Sequence, residues 1–210
     1  MELVKIIITD LQEYIDLISK RFNLKKIKDI SFWWDIYEGE RTTDDWKEKI
    51  ILVLTWLSKI DIDNNMNYIL ENYIPNKIIN IWIAWNLDKI DLKSWDIILP
   101  NTFIDEKKNE ALFLNNAIWS FYDLNTFWLI LNWICLSWDK LFLEYEENLD
   151  FSIDNWIDIY DNIAFSILSI ASKNSLLENC LVIKWITNDL EIDNKNFIIE
   201  NSVNILELIL

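Results

Sequence analysis

The chain has 210 residues, is 52% hydrophobic and carries a formal net charge of −16. A chain of this length buries about 70% of the surface its unfolded form exposes, so it needs no disulfide or metal staple, and its hydrophobic content excludes a disordered acidic tail. It contains no histidine and one glycine, which excludes histidine-based acid–base or nucleophile chemistry and every glycine-rich phosphate loop.

The charge is uneven. Residues 1–30 hold six bases and five acids, and residues 31–210 hold 13 bases and 30 acids. Such a surface repels nucleic acid and anionic membrane and attracts cationic proteins.

In chain order, "ELVKIII" reads as an opening strand. Thr9 and Gln12 form a capping-box pattern ahead of a helix to about Phe22. "SFWWDIYEGERTTDDW" reads as an extended or irregular piece with a turn at Gly39. Thr43 is expected to cap a helix to about Lys59, apolar on both sides and therefore central. A short helix over Asn65–Tyr73 stops before Pro75. "DIDNN" lacks the glycine and glutamate of a calcium loop, since Met66 and Asn72 stand in those places.

"KIINIWIAWN" reads as a strand. Apolar helices are expected around Glu106–Tyr122 and Thr126–Ser137, then a strand over "DKLFLEYEE" with one partly polar face. A helix follows from Asp154 to about Ala171. "CLVIKWI" and "NFIIEN" read as strands, and "VNILELIL" is ambiguous between strand and helix. No linker or repeat divides the chain. The expected fold is therefore α+β, a helix-rich single domain over residues 1–210 with a small antiparallel sheet.

Cys135 and Cys180 lie in apolar runs without a CxxC partner and read as buried reduced thiols, although a disulfide between them stays open. The N-terminus lacks a signal peptide's charged start and long apolar core, and no uncharged stretch reaches a membrane span's length. The expected location is cytoplasmic.

Most of the 13 tryptophans sit inside apolar runs and read as core. Trp33 and Trp34 differ, because neighbours on an extended strand face opposite ways and Asp35 and Glu38 stand beside them. The densest acidic stretch runs from Leu143 to Asn162 and contains Glu144, Glu146, Glu147, Asp150, Asp154, Asp158 and Asp161 without a base. On a helix begun at Asp154, steps of about 100° put Asp154, Asp158 and Asp161 on one stripe, with Phe165 among them.

An aromatic ringed by carboxylates suits docking, where acids steer a basic partner and the ring fills its pocket. Glu144, Glu146, Glu147, Asp150, Asp154, Asp158, Asp161, Phe165, Trp33, Trp34, Asp35 and Glu38 are thus the expected partner-binding residues. No catalytic residue, metal or cofactor is expected.

The corresponding function is that of an acidic, non-enzymatic antagonist, an immunity-type protein that covers the active site of a cationic, nuclease-like bacterial toxin. One alternative is a phage-encoded inhibitor of a host nucleic-acid-targeting enzyme, its carboxylates standing in for phosphates. A carboxylate-based enzyme or small-ligand binder is another, and a structural subunit kept soluble by its acids is a third.

Overall fold

The computed structural model describes residues 3–9, 12–29, 35–42, 47–55, 59–86, 92–93, 96–105, 110–115, 130–137, 158–161, 163–187 and 195–210. Its strands are β1 (Leu3–Thr9), β2 (Lys25–Asp29), β3 (Asp35–Thr42), β4 (Lys47–Leu54), β5 (Ile74–Asn86), β6 (Ile97–Asp105), β7 (Glu110–Phe113), β8 (Ile130–Ser137), β9 (Ile159–Asp161) and β10 (Cys180–Thr187). Its helices are α1 (Gln12–Arg21), α2 (Lys59–Asn72), α3 (Ala164–Lys173) and α4 (Lys195–Ile209).

All ten strands join one mixed sheet in the order β10-β6-β8-β9-β5-β1-β4-β3-β2, with β7 beside β6. A further pairing of β10 with β5 closes β5, β10, β6, β8 and β9 into a ring, from which β1, β4, β3 and β2 extend as an arm. Strands β4, β1, β5 and β10 lie side by side and parallel.

The core follows from strand periodicity. Ile6 and Ile8 of β1 join Ile51, Val53, Ile78 and Val182 under α2 and α3, whereas Ile7 joins Ile50, Leu52, Ile79 and Leu181 under α1 and α4. Successive side chains of a strand point to opposite faces, so a strand covered by helices on both sides must be apolar throughout. The arm of the sheet is thus the middle of three layers.

This architecture corrects the expected helix-rich fold with a small antiparallel sheet. Residues 47–54, expected as a helix apolar on both sides, form β4, whose last five residues are all buried. Within the expected helices at Glu106–Tyr122 and Thr126–Ser137, the described portions are β7 and β8. Within the expected Asp154–Ala171 helix, the described residues form β9 and then α3. The expected strand "NFIIEN" lies inside α4. The "DKLFLEYEE" strand lies outside the described residues.

Two local expectations also change. Thr9 ends β1 and its buried hydroxyl has no hydrogen-bond partner, so it closes no capping box on α1. Strand β3 runs through Gly39 without a turn. The glycine is favoured there by close approach: a Cβ would meet Leu24 Cδ2 at 2.6 Å and Asn23 O at 3.2 Å, so the leucine side chain would have to shift.

Bases hold the C-terminus of α4. Lys77 Nζ donates to Ile209 O at 3.0 Å, Lys5 Nζ donates to Leu210 O, and Arg41 donates to Glu207 O at 3.4 Å. Cations at the negative end of a helix are favourable, and Lys5 is further paired with Glu48 at 2.6 Å. Burial lowers the pKa of the Lys77 ammonium.

Among the described residues no helix is long and apolar enough to cross a membrane. Cys135 and Cys180 are both buried and no disulfide joins them. Replacing Gly39 with alanine should cost about 1–3 kcal/mol, the usual range for overpacking, seen as a lower urea midpoint with unchanged m-value. An unchanged midpoint contradicts the close-approach account.

Candidate active site

Strand β5 is the longest, and its neighbours do not cover it evenly. On one edge β10 pairs with it from Ile78 to Trp85. On the other edge β1 pairs with it from Ile74 to Asn80, and β9 pairs with Trp85 and Asn86. Strand β1 is parallel to β5 and β9 is antiparallel, so their C-terminal ends point at each other along this edge.

Between those ends no described strand pairs with β5 over Ile81–Ala84. At about 3.3 Å per residue the notch is roughly 13 Å long. Thr9 marks one side and Asp161 the other.

The notch also marks a change of direction in the chain. From β1 the chain goes outward through α1 to the arm, and from β5 it goes the other way into the ring. Ligands of parallel α/β sheets bind outside the C-terminal strand ends at such reversals. The ends here are polar: Thr9 closes β1, Thr55 follows β4, Asn86 closes β5 and Thr187 closes β10. Thr55 N–H donates to Thr9 O at 2.8 Å.

Asp161 and Lys184 form a salt bridge in which both side chains are 0% exposed. Lys184 Nζ also donates to Asn80 Oδ1 at 2.7 Å, and Asn80 Nδ2 donates to Ile8 O at 3.3 Å. The carboxylate is held by backbone as well: Asp161 Oδ1 accepts from Ile163 N at 3.2 Å and from Ala164 N at 3.0 Å. It thus caps α3, where the helix dipole favours a negative charge. Removing one partner of a buried pair leaves a buried charge alone, at a cost of about 3–5 kcal/mol.

Cys135 lies close to this pair. Burial, and then the negative charge of Asp161, push its thiol well above the ordinary range. A neutral thiol is a poor nucleophile, so Cys135 serves as packing. Among the described residues no three His, Cys, Asp or Glu side chains cluster in a way that would hold a metal ion.

The expected docking residues fare differently. Glu144, Glu146, Glu147, Asp150, Asp154, Trp33 and Trp34 lie outside the described residues. Asp158 brackets β8, its Oδ2 accepting from Ile134 N at 2.8 Å. Asp161 is fully buried in its ion pair, and Phe165 is 1% exposed in the core. The solvent stripe joining Asp158, Asp161 and Phe165 therefore does not form, because residues 159–161 are strand β9 and the helix starts only at Ala164.

Asp35 and Glu38 belong to the arm and face lysines: Lys26–Asp35 at 2.5 Å and Lys49–Glu38 at 2.6 Å. Lys184 and Asn80 were missed. Their signal is a lone polar residue inside an apolar strand, "CLVIKWI" and "IINIWIAW", where burial demands a polar partner.

No protein-family model and no curated protein matches the sequence. Solved structures do match. A futalosine hydrolase mutant of Helicobacter pylori superposes with a TM-score of 0.78 at 14% identity, over 99% of this chain and 97% of that one. The 5′-methylthioadenosine/S-adenosylhomocysteine nucleosidase of Campylobacter jejuni gives 0.79 at 12% identity, over 100% and 98%. A mutant of the Helicobacter pylori nucleosidase with 5′-methylthioadenosine in its active site gives 0.75 at 14%, over 99% and 97%.

The chain has the fold of these nucleosidases. That likeness overturns the expectation of an immunity-type antagonist or a nucleic-acid-mimicking phage inhibitor, and with it the expectation of a non-enzymatic protein. Asp161 is tied into the sheet by its buried ion pair and is no part of a convex acidic face.

On the arm, Tyr73 Oη donates to Glu38 Oε2 at 3.4 Å, and Lys49 Nζ lies 5.5 Å from the Tyr73 ring centre. Burial first, and then the charge of Glu38, push the Tyr73 phenol up to about 12. The folded value exceeds the unfolded one near 10, so folding favours the protonated phenol. This contribution to stability is complete below pH ~10 and is lost as pH rises toward ~12. A pH titration of tyrosinate absorbance should show a late step that Tyr73→Phe removes; the same curve for both proteins contradicts the assignment.

Proposed function

We propose that this chain is a nucleosidase, hydrolysing the N-glycosidic bond of a nucleoside held in the notch between Thr9 and Asp161. The observation that carries the reading is the end-to-end likeness to nucleosidases and a futalosine hydrolase, in both directions of coverage. One feature of the chain itself supports it: the notch lies at the topological reversal where α/β sheets take ligands.

In the reaction, water adds to the anomeric carbon, the bond to the base nitrogen breaks, and the base departs with a proton. The sugar passes through a cationic, oxocarbenium-like state that a nearby carboxylate stabilises. Asp161 is the described carboxylate on the notch. Lys184 and the α3 N-terminus hold it in place, so its charge is oriented before substrate arrives. Lys184 and Asn80 are positioning residues that act through Asp161.

A cytoplasmic location belongs to the same proposal, in keeping with two cysteines that no disulfide joins.

The direct test is chromatography of purified protein incubated with 5′-methylthioadenosine, adenosine and inosine. Free base should appear above the protein-free control. Asp161→Asn, checked for retained fold by circular dichroism, should lower the rate roughly 100-fold or more. A folded wild-type protein that releases no base from any of the three overturns the proposal.

A further inference from the structure

We propose a second ligand site, separate from the notch: the cleft between α2 and α3 binds a free amino acid as its zwitterion. The cleft measures about 150 Å³ and is lined by Asp63 and Asn67 of α2 and by Ser166, Ser169, Ile170, Lys173 and Asn174 on the side of α3. At about 30 Å³ per water it has room for roughly five waters, a space that a small organic ligand fills.

The lining is polar where two packed helices are ordinarily apolar. Asp63 and Asn67 are one turn apart on α2, and Ser166, Ser169, Ile170 and Lys173 share one face of α3. Below this strip the helices pack conventionally, through Ile62, Met66 and Ile69 against Ile167, Leu168 and Ala171. The polar strip is thus additional to the contact that joins the helices.

Ser166 is only 4% exposed and lines the cleft. Its hydroxyl is not sealed off from solvent and opens into the cleft, and among the described residues neither Asp63 nor Lys173 is ion-paired.

The charges define the ligand class. Helix α2 leads into β5 and α3 into β10, and those strands are parallel, so the two helices run the same way. Asp63 comes from the first half of α2, whereas Lys173 ends α3, so acid and base stand toward opposite ends of the cleft. A ligand with an ammonium for Asp63 and a carboxylate for Lys173 satisfies both, while a simple anion or cation satisfies one and faces the other. The hydroxyls of Ser166 and Ser169 and the amide of Asn67 serve the polar remainder. This inference does not depend on the nucleosidase reading, and its test involves no nucleoside.

The test is thermal unfolding and calorimetry of the full chain with L-alanine, L-serine, L-glutamate and L-lysine, and with sodium acetate and methylammonium chloride as single-charge probes. At about 10 mM, at least one amino acid should raise Tm by about 3–5 °C with saturable heat, and the single-charge probes should not. Asp63→Asn and Lys173→Ala alter exposed positions and should each weaken binding about tenfold or more without lowering the ligand-free Tm. Ser166→Ala should leave the ligand-free protein as stable or more so, and still weaken binding. The proposal is overturned if no amino acid shifts Tm, if acetate or methylammonium shifts it as much, or if binding survives both charge substitutions.

Discussion

The buried salt bridge between Asp161 and Lys184 is the contact on which the proposed site depends. Lys184 belongs to β10, Asn80 to β5 and Asp161 to the end of β9, and the carboxylate also starts α3. The ion pair therefore ties three strands of the ring to a covering helix, and Asn80 Nδ2, donating to Ile8 O, extends the link to the arm. Burying two charges is expensive, and the cost is offset only because each partner finds further hydrogen bonds: Asn80 for the ammonium, Ile163 N and Ala164 N for the carboxylate. The arrangement is a poor way to gain stability but a good way to fix a carboxylate in one place. That is what electrostatic catalysis at a sugar requires.

The same constraint explains how an acidic protein distributes its few bases. Lys5 and Lys77 reach the carbonyl end of α4, Lys184 sits in the core, and Lys26 and Lys49 neutralise Asp35 and Glu38 on the arm. These bases act inside the fold or within its sheet surface. With these bases paired to acids or helix carbonyls, the net negative charge of the chain is a weak guide to a partner.

Legibility in the sequence was divided by physics. Strands β1, β5 and β10 were readable because their apolar runs are bounded by helix or turn signals, as was α1. Strand β4 was not, because "IILVLTWL" is apolar on both faces, and a central parallel strand covered twice has no alternation to distinguish it from a buried helix. Strand β6 carries Pro100 in its interior, a residue that argues against a strand unless the ladder shifts, and its register with β8 shifts there. Residues 154–171 misled because a short strand and a helix in series mimic the period of one longer helix, which put Asp161 and Phe165 on an imagined outer stripe. The informative residues were the isolated polar ones, Asn80 and Lys184. No local pattern reveals that Lys184 meets both Asp161 and Asn80, since its contact with Asn80 spans 104 positions and is set by the sheet order.

The central claim is that the pair holds the start of α3, and with it one side of the notch, as a unit with the core. Native-state hydrogen exchange at the amides of Ile163 and Ala164 measures this directly, in the wild type and in Lys184→Met. The account predicts that both amides exchange near the rate of global unfolding in the wild type. In Lys184→Met they should lose protection by far more than the remaining core amides, beyond the overall loss of about 3–5 kcal/mol expected for a broken buried pair. Equal protection of these amides in the two proteins, or rapid exchange already in the wild type, would contradict it.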